Sequence, residues 1–589
     1  MSLFQAKRHQ PGFHAGDDLQ AGAALRLDGV RMQAIETGRS RLVFTSLVFL
    51  LAFIGIALRM IDVSLFDTRP AKPTAAPSAR SDGLEMERAD ISDRNGTLLA
   101  SSLPTMSLFA EPEKLKAAKV DVEGAAAQLV AVLPDLDIEE TIEKLSSARS
   151  FVYLKRNLTP RQQYDVNALG IPGLQFEKGE RRIYPHGNLV SHVVGMTGVD
   201  NKGLAGIEKR FENAIRESRE PLGLSIDIRV QTVVRNELAR AVQEFSAVGA
   251  TGMVMDVHTG EMLAMVSLPD FDPNDPPPPT DPSMFNRATK GAYEMGSTFK
   301  LFNTAMALDS GRINLNSSFD ATKPLVFGGH TIHDDHAQNR WMTVPEILIH
   351  SSNIGSARMA LDVGTEGQRA FMARIGMLAP PALELPEVGA PMVPSPWREI
   401  NTITIAFGHG LSVTPLQLVS GVATLVNGGE YHPPTLLARA PDEKISGIRI
   451  IKPKTSDQMR SLMRMVVTEG TGKKADVPGY EVGGKTGTAE KAGHGGYRKK
   501  AVLSSFVAAF PMDAPRYAIL IMIDEPQGTK ETYGFITAGW TAAPVVSRVV
   551  AQIAPLMGLM PKTVVPAASP VAKSNVNTSG RSREVAAVE

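Results

Sequence analysis

The chain of 589 residues contains no cysteine. That absence excludes a disulfide scaffold, a thiolate zinc site and a cysteine nucleophile, leaving nucleophilic chemistry to Ser, Thr, Lys or a carboxylate. Charge of one sign is also missing, since 62 Lys and Arg stand against 62 Asp and Glu. Without a bulk basic field to attract phosphates, nucleic-acid binding is disfavoured as a primary role. A mean hydropathy of -0.06 is too low for a polytopic membrane protein. Long apolar runs are absent but for one.

That run is Leu42 to Leu58, 17 uncharged residues. As a helix it would span about 26 Å, close to the hydrocarbon thickness of a bilayer. The 41 residues before it hold six basic and four acidic side chains, with Arg39 and Arg41 abutting the run. The positive-inside rule predicts a cytoplasmic segment over 1–41, an uncleaved anchor over 42–62, and export of everything after it. Pro70, Pro73 and Pro77 among Ala, Ser and Thr predict a semi-extended linker over 63–83. The Ala, Ser and Asn-rich stretch over 563–589 predicts a disordered tail.

Two folded parts lie between. Residues 84–220 mix strand-like and helical patterns, such as the turn at Asp93 to Gly96 and a helix over Val122 to Leu133, and predict an α+β pedestal. Over 221–562, apolar runs at Met253 to Val257 and Met262 to Ser267 flank a His258-Thr259-Gly260 turn, and Val502 to Phe510 and Tyr517 to Ile523 flank another. With a strand over Tyr480 to Thr488, these predict a five-stranded antiparallel sheet built from both ends of the domain. The long intervening stretch, read mainly as helix, packs against it.

Chemistry enters at Ser297-Thr298-Phe299-Lys300, after Gly296 and at the start of a helix with Phe299, Phe302 and Met306 on one apolar face. Serine and lysine at i and i+3 meet, so a lysine held neutral by burial could take the serine proton. Alone the pattern is weak, because about two such matches arise by chance in a chain this long. Ser351-Ser352-Asn353 follows the apolar helix Val344 to Ile349, and Lys485-Thr486-Gly487-Thr488 lies on the predicted strand. Each is bland by itself. In this order the three form the set characteristic of serine enzymes that act on D-Ala-D-Ala ends and β-lactams.

The sequence resembles the class B penicillin-binding proteins from about residue 40 to 555. Arg88 to Gly96 is similar to the opening signature of their pedestal, with Ala89 where Gly is usual. Arg182 to Gly187, Gly203 to Glu208, Ser225 to Gln231, Phe407 to Gly410 and Thr414 to Gln417 resemble later signatures. Size, the single anchor and Glu294-Met295-Gly296 look most like the division branch of alphaproteobacteria, the FtsI transpeptidases. The resemblance implies Ser297 as nucleophile, Lys300 as general base and Ser351 as the proton shuttle to the leaving amine. It implies that Asn353 binds the substrate's peptide amide, that Lys485 and Thr486 bind its terminal carboxylate, and that Gly487 leaves the approach open. The N–H groups of Ser297 and Thr488 would form the oxyanion hole. The implied substrate is the D-Ala-D-Ala end of a peptidoglycan stem peptide, with β-lactams as inhibitors. An FtsW-type glycan polymerase and other divisome proteins are the implied partners.

His330, His333 and His336, with Asp334 and Asp335, offer metal-ligand types, but the serine mechanism needs neither metal nor cofactor, and a polar loop near the cleft mouth is expected. A β-lactam sensor would need a signalling domain across the membrane, for which residues 1–41 are too few. A class A β-lactamase would need an E-x-x-L-N carboxylate after Asn353, and none follows. An elongation-type class B transpeptidase is the nearest alternative.

Overall fold

The computed structural model describes residues 88–440, 443, 445–493 and 496–562, together with positions 47, 50, 51, 53 and 54. Those five positions, Leu47, Leu50, Leu51, Phe53 and Ile54, are helical and exposed. The rest of the expected anchor, the segment 1–41, the linker and the tail lie outside the described residues. Among the described residues, no helix is long and apolar enough to cross a membrane.

The pedestal is built on strands β1 (Ile91–Ser92), β2 (Leu98–Ala110), β3 (Val152–Leu158), β4 (Leu174–Ile183) and β5 (Leu222–Gly223). The long β2 pairs antiparallel with β1, β3 and β4, while β1 pairs parallel with β5. Helices Val122–Val132, Ile138–Leu145 and Pro160–Ala168 close a separate small core around Leu108, Leu129 and Leu158. At its base, charge is buried. Arg88 Nη2 donates to Glu208 Oε2 at 2.5 Å, Arg182 Nε to Glu208 Oε1 at 2.7 Å, and Arg88 Nη1 to Glu212 Oε2 at 2.8 Å. The side chains of Arg88 and Glu208 are fully shielded from solvent. Removing one partner of such a network strands the others in a low-dielectric site, so Glu208→Ala is expected to cost about 3–5 kcal/mol, read from the denaturant midpoint of the purified chain. A loss under about 1 kcal/mol would show the network to be screened.

The signatures beside this network dock the pedestal on the second part. Asp93 Oδ1 accepts from Asn95 N and Thr97 N, closing the turn, and Oδ2 accepts from Ile228 N at 3.2 Å. Gln231 Oε1 accepts from Met265 N at 2.8 Å, and its Nε2 donates to Leu189 O and Met265 O. One apolar core accordingly runs from Ile91 and Leu99 to Met255 and Phe302 without a break between the parts.

The central sheet contains β6 (Gly249–Asp256), β7 (Met262–Leu268), β8 (Gly483–Gly493), β9 (Gly496–Phe510) and β10 (Tyr517–Asp524), in the order β8-β9-β10-β6-β7, antiparallel throughout. Its inner strands read as nearly unbroken apolar runs because both faces are covered. Met253, Met255, Leu520, Met522 and Val507 enter one core, whereas Val254, Ile519, Ile521, Phe506 and Ala508 enter the other. Period-two alternation therefore sorts residues between two cores rather than between core and water. Helices α1 (Ile228–Glu244) and α6 (Ala542–Leu556) cover the second face. Helices α2 (Phe299–Asp309), α3 (Asn353–Val363), α4 (Pro415–Val426) and α5 (Pro453–Thr468) build the first.

Several boundaries differ from the sequence expectation. The strand expected from Tyr480 begins at Gly483, because Tyr480 N closes a turn on Val477 O, and it continues past Thr488 to Gly493. Helix α2 is buried on all sides from Phe299 to Leu308 instead of on one apolar face. The stretch between the hairpins is not purely helical. Leu325–Phe327 pairs with His330–Ile332 across Gly328 and Gly329, and Ser318–Asp320 pairs with Trp341–Thr343. His330 thus lies on a short strand rather than in a loop, and only His333 and His336 belong to the segment after it.

Candidate active site

Gly296–Thr298 forms one 3₁₀ turn and α2 starts at Phe299, so Ser297 sits on the bend and Lys300 in the first helical turn. The Ser297 hydroxyl caps no helix. Its Oγ lies 3.0 Å from Lys300 Nζ. Lys300 Nζ also donates to Ser351 Oγ at 3.0 Å, Ser351 O at 2.6 Å and Asn353 Oδ1 at 2.7 Å. Ser351 takes φ 57°, a left-handed conformation uncommon outside glycine. There its hydroxyl also meets Lys485 Nζ, at 3.1 Å. The three motifs therefore converge on one chain of polar atoms, Ser297 Oγ, Lys300 Nζ, Ser351 Oγ and Lys485 Nζ.

Both lysines are completely buried. Burial pushes the Lys300 ammonium down to about 7, with the charges of Asp335 and Asp334 pulling the other way. Burial, reinforced by the Lys300 charge, holds Lys485 well below its ordinary value. A neutral amine beside Ser297 can accept its proton. Two desolvated amines sharing one hydroxyl also favour an incoming anion.

Lys485 to Thr488 lie on β8, the edge strand of the central sheet. Thr486 Oγ1 is 3.2 Å from Lys485 Nζ and 2.7 Å from Thr471 Oγ1. Thr488 Oγ1 accepts from Ala538 N. For Gly487 the structure gives a different reason from an open approach: a Cβ there would lie 2.6 Å from Ser505 Oγ and 2.8 Å from Met295 O and Thr298 Cγ2. The missing side chain lets β8 close on the serine turn. Gly408 serves the same junction, since a Cβ there would sit 1.9 Å from Gly296 O.

Asn353 is more committed than the sequence implied. Its Nδ2 donates to His333 O at 2.9 Å while Oδ1 accepts from Lys300, which leaves one Nδ2 hydrogen for a ligand carbonyl. Other supports were missed by sequence reasoning: Thr471 behind Thr486, Asp334 beside Asn353, and Glu294, whose carboxylate accepts from Gly410 N at 2.7 Å and meets His409 Nδ1 at 3.1 Å. Only the last pair left a sequence signal, as two separate signatures.

Residues 250–547 match the penicillin binding protein transpeptidase domain and residues 84–220 the penicillin-binding protein dimerisation domain. The chain is 40% identical to a probable peptidoglycan D,D-transpeptidase FtsI of Caulobacter vibrioides, over 82% of this chain and 83% of that one. It is 30% identical to the peptidoglycan D,D-transpeptidase FtsI of Escherichia coli, over 82% and 86%. The crystal structure of a peptidoglycan synthetase from Bifidobacterium adolescentis shares the fold, with a TM-score of 0.65 at 23% identity over 82% of this chain and 97% of that one. With its serine, two lysines and edge strand assembled as described, the chain belongs to the class B penicillin-binding proteins and is a serine-type transpeptidase of the FtsI kind.

Proposed function

We propose that the protein is a membrane-anchored periplasmic D,D-transpeptidase that cross-links peptidoglycan stem peptides at the division septum and is inhibited by β-lactams. The convergence of Ser297, Lys300, Ser351 and Lys485 on one hydrogen-bonded chain carries this reading. Neutral Lys300 takes the Ser297 proton as Oγ attacks the carbonyl of the penultimate D-Ala. The N–H groups of Ser297 and Thr488 stabilise the oxyanion, and Lys485 with Thr486 holds the terminal carboxylate. Collapse expels D-Ala, whose amine receives the proton through Ser351. An amine on a neighbouring stem then attacks the acyl-enzyme, forms the cross-link and returns the proton to Ser297. No step calls for a metal or cofactor.

The septal role is supported by the FtsI names of the relatives, and the anchor by Leu42 to Leu58 with its basic flank. FtsW-type polymerases and other divisome proteins are the corresponding partners. A fluorescent fusion is expected to concentrate at midcell in dividing cells, with alkaline phosphatase active when fused near residue 150 and inactive near residue 20. A dispersed lateral pattern would favour an elongation role instead, and an active fusion near residue 20 would overturn the orientation.

A further inference from the structure

Asn353 and Ser351 must reach Lys300 from a different part of the chain, and the turn that carries them is short. Ile349 ends one helix, Ser351 turns left-handed, and α3 starts at Asn353. Ser352 is the N-cap, its hydroxyl accepting from Gly355 N at 3.0 Å. That leaves the first backbone N–H groups of α3 to be satisfied from outside. Asp334, on the segment after the His330–Ile332 strand, supplies the acceptors. Its Oδ1 receives Asn353 N at 2.6 Å and Ile354 N at 2.9 Å, and its Oδ2 receives the Ser352 hydroxyl at 2.7 Å. The neighbouring His333 carbonyl receives Asn353 Nδ2, so the same segment sets the amide's orientation.

We propose that Asp334 is a positioning residue for acylation: its carboxylate fixes the Ser351-to-Asn353 turn so that both side chains meet the Lys300 amine. The proposal rests on the transpeptidase reading above. One carboxylate receives three hydrogen bonds from this turn, two of them from N–H groups that α3 cannot satisfy itself, and charge-assisted bonds of this kind are about twice as strong as neutral ones. The carboxylate also acts on the base. The groups facing Lys300 are Ser297 from the turn before α2, Ser351 and Asn353 from the start of α3, Lys485 from β8, and the carboxylates of Asp335 and Asp334. Those two carboxylates favour the ammonium form of Lys300. Neutralising Asp334 therefore lowers the pH at which Lys300 loses its proton, and the neutral base persists further into acid.

The test measures the second-order rate of acylation by a fluorescent penicillin, on the full chain, across the pH range of the Lys300 titration. Asp334→Ala is expected to lower the plateau about 10²-fold, the loss that accompanies a displacement of about 1 Å in a reacting group. Asp334→Asn keeps an acceptor oxygen for the two backbone N–H groups. It is expected to recover at least half of that loss on a logarithmic scale, with the acid limb moved to lower pH. Should Asp334→Ala fail to unfold cooperatively, Asp334→Asn decides alone. Acylation by Asp334→Ala within twofold of the wild type would overturn the proposal, as would an Asp334→Asn variant with an unmoved acid limb. Failure of the wild-type chain to be acylated would instead refute the transpeptidase reading, so the two failures are distinguishable.

Discussion

Ser297→Ala is expected to abolish covalent labelling by penicillin entirely, while the folded chain and its non-covalent binding of carboxylate ligands persist. Ser297 occupies the 3₁₀ turn that leads into α2, with its hydroxyl directed at the Lys300 amine and engaged in no helix cap. Removing one oxygen there takes away the proposed attacking atom, and leaves the packing of Gly296 on Gly408 and of Gly487 on Met295 unchanged. Thermal unfolding should consequently shift little. The β-lactam amide presents the same carbonyl and carboxylate as D-Ala-D-Ala, so labelling reports the chemistry of the natural donor. Unchanged labelling in the variant would remove the nucleophile assignment.

Lys300→Ala is expected to reduce the acylation rate about 10²–10⁴-fold, the range for loss of a positioned general base. In the wild type the rate should rise as pH rises through about 7, because burial lowers the Lys300 ammonium to that value and only the neutral amine accepts a proton. The variant should lose this limb as well as the rate. Lys485→Ala tests a separate role. A hydrogen bond to a charged group such as the ligand carboxylate contributes roughly 1.5–3 kcal/mol, so non-covalent affinity should fall about 10- to 100-fold. Since Lys485 Nζ also touches Ser351 Oγ, its acylation rate should drop too. Lys300→Ala should leave the affinity nearly intact. Stopped-flow separation of binding from acylation distinguishes the two, and equal, purely catalytic losses in both variants would contradict this division of labour.

The features legible in the sequence are those that repeat locally. Apolar runs around tight turns disclosed the two hairpins and hence the central sheet, and fixed motif order disclosed Ser297, Lys300, Ser351, Asn353 and Lys485. The support behind them left no such trace. Asp334 binds its targets 18 to 20 positions away through one carboxylate, and Thr471 steadies Thr486 across 15. Hydrogen bonds of that kind depend on chain path rather than on spacing. The acidic and histidine residues from 330 to 336 were conspicuous but read only as a polar loop, whereas Asp334 binds two backbone N–H groups and a hydroxyl. Gly487 stood out for lacking a side chain, and folding adds a reason that spacing did not show, since a Cβ there would meet Ser505 and the serine turn. The buried Arg88, Arg182 and Glu208 were visible only as pieces of separate signatures until folding joined them.

The account rests on an acyl-enzyme at Ser297 that waits for an amine. A transpeptidase site holds no base aimed at water on the free face of the ester, and here Lys300 and Ser351 are committed to acylation and to the leaving group. Intact-protein mass spectrometry of the wild-type chain, followed over time after excess penicillin is removed, tests this directly, with peptide mapping to place the adduct. One penicilloyl group on the peptide containing Ser297, persisting for many minutes, is the result expected. No adduct, an adduct on another residue, or recovery of free enzyme within seconds with steady penicillin hydrolysis would contradict it.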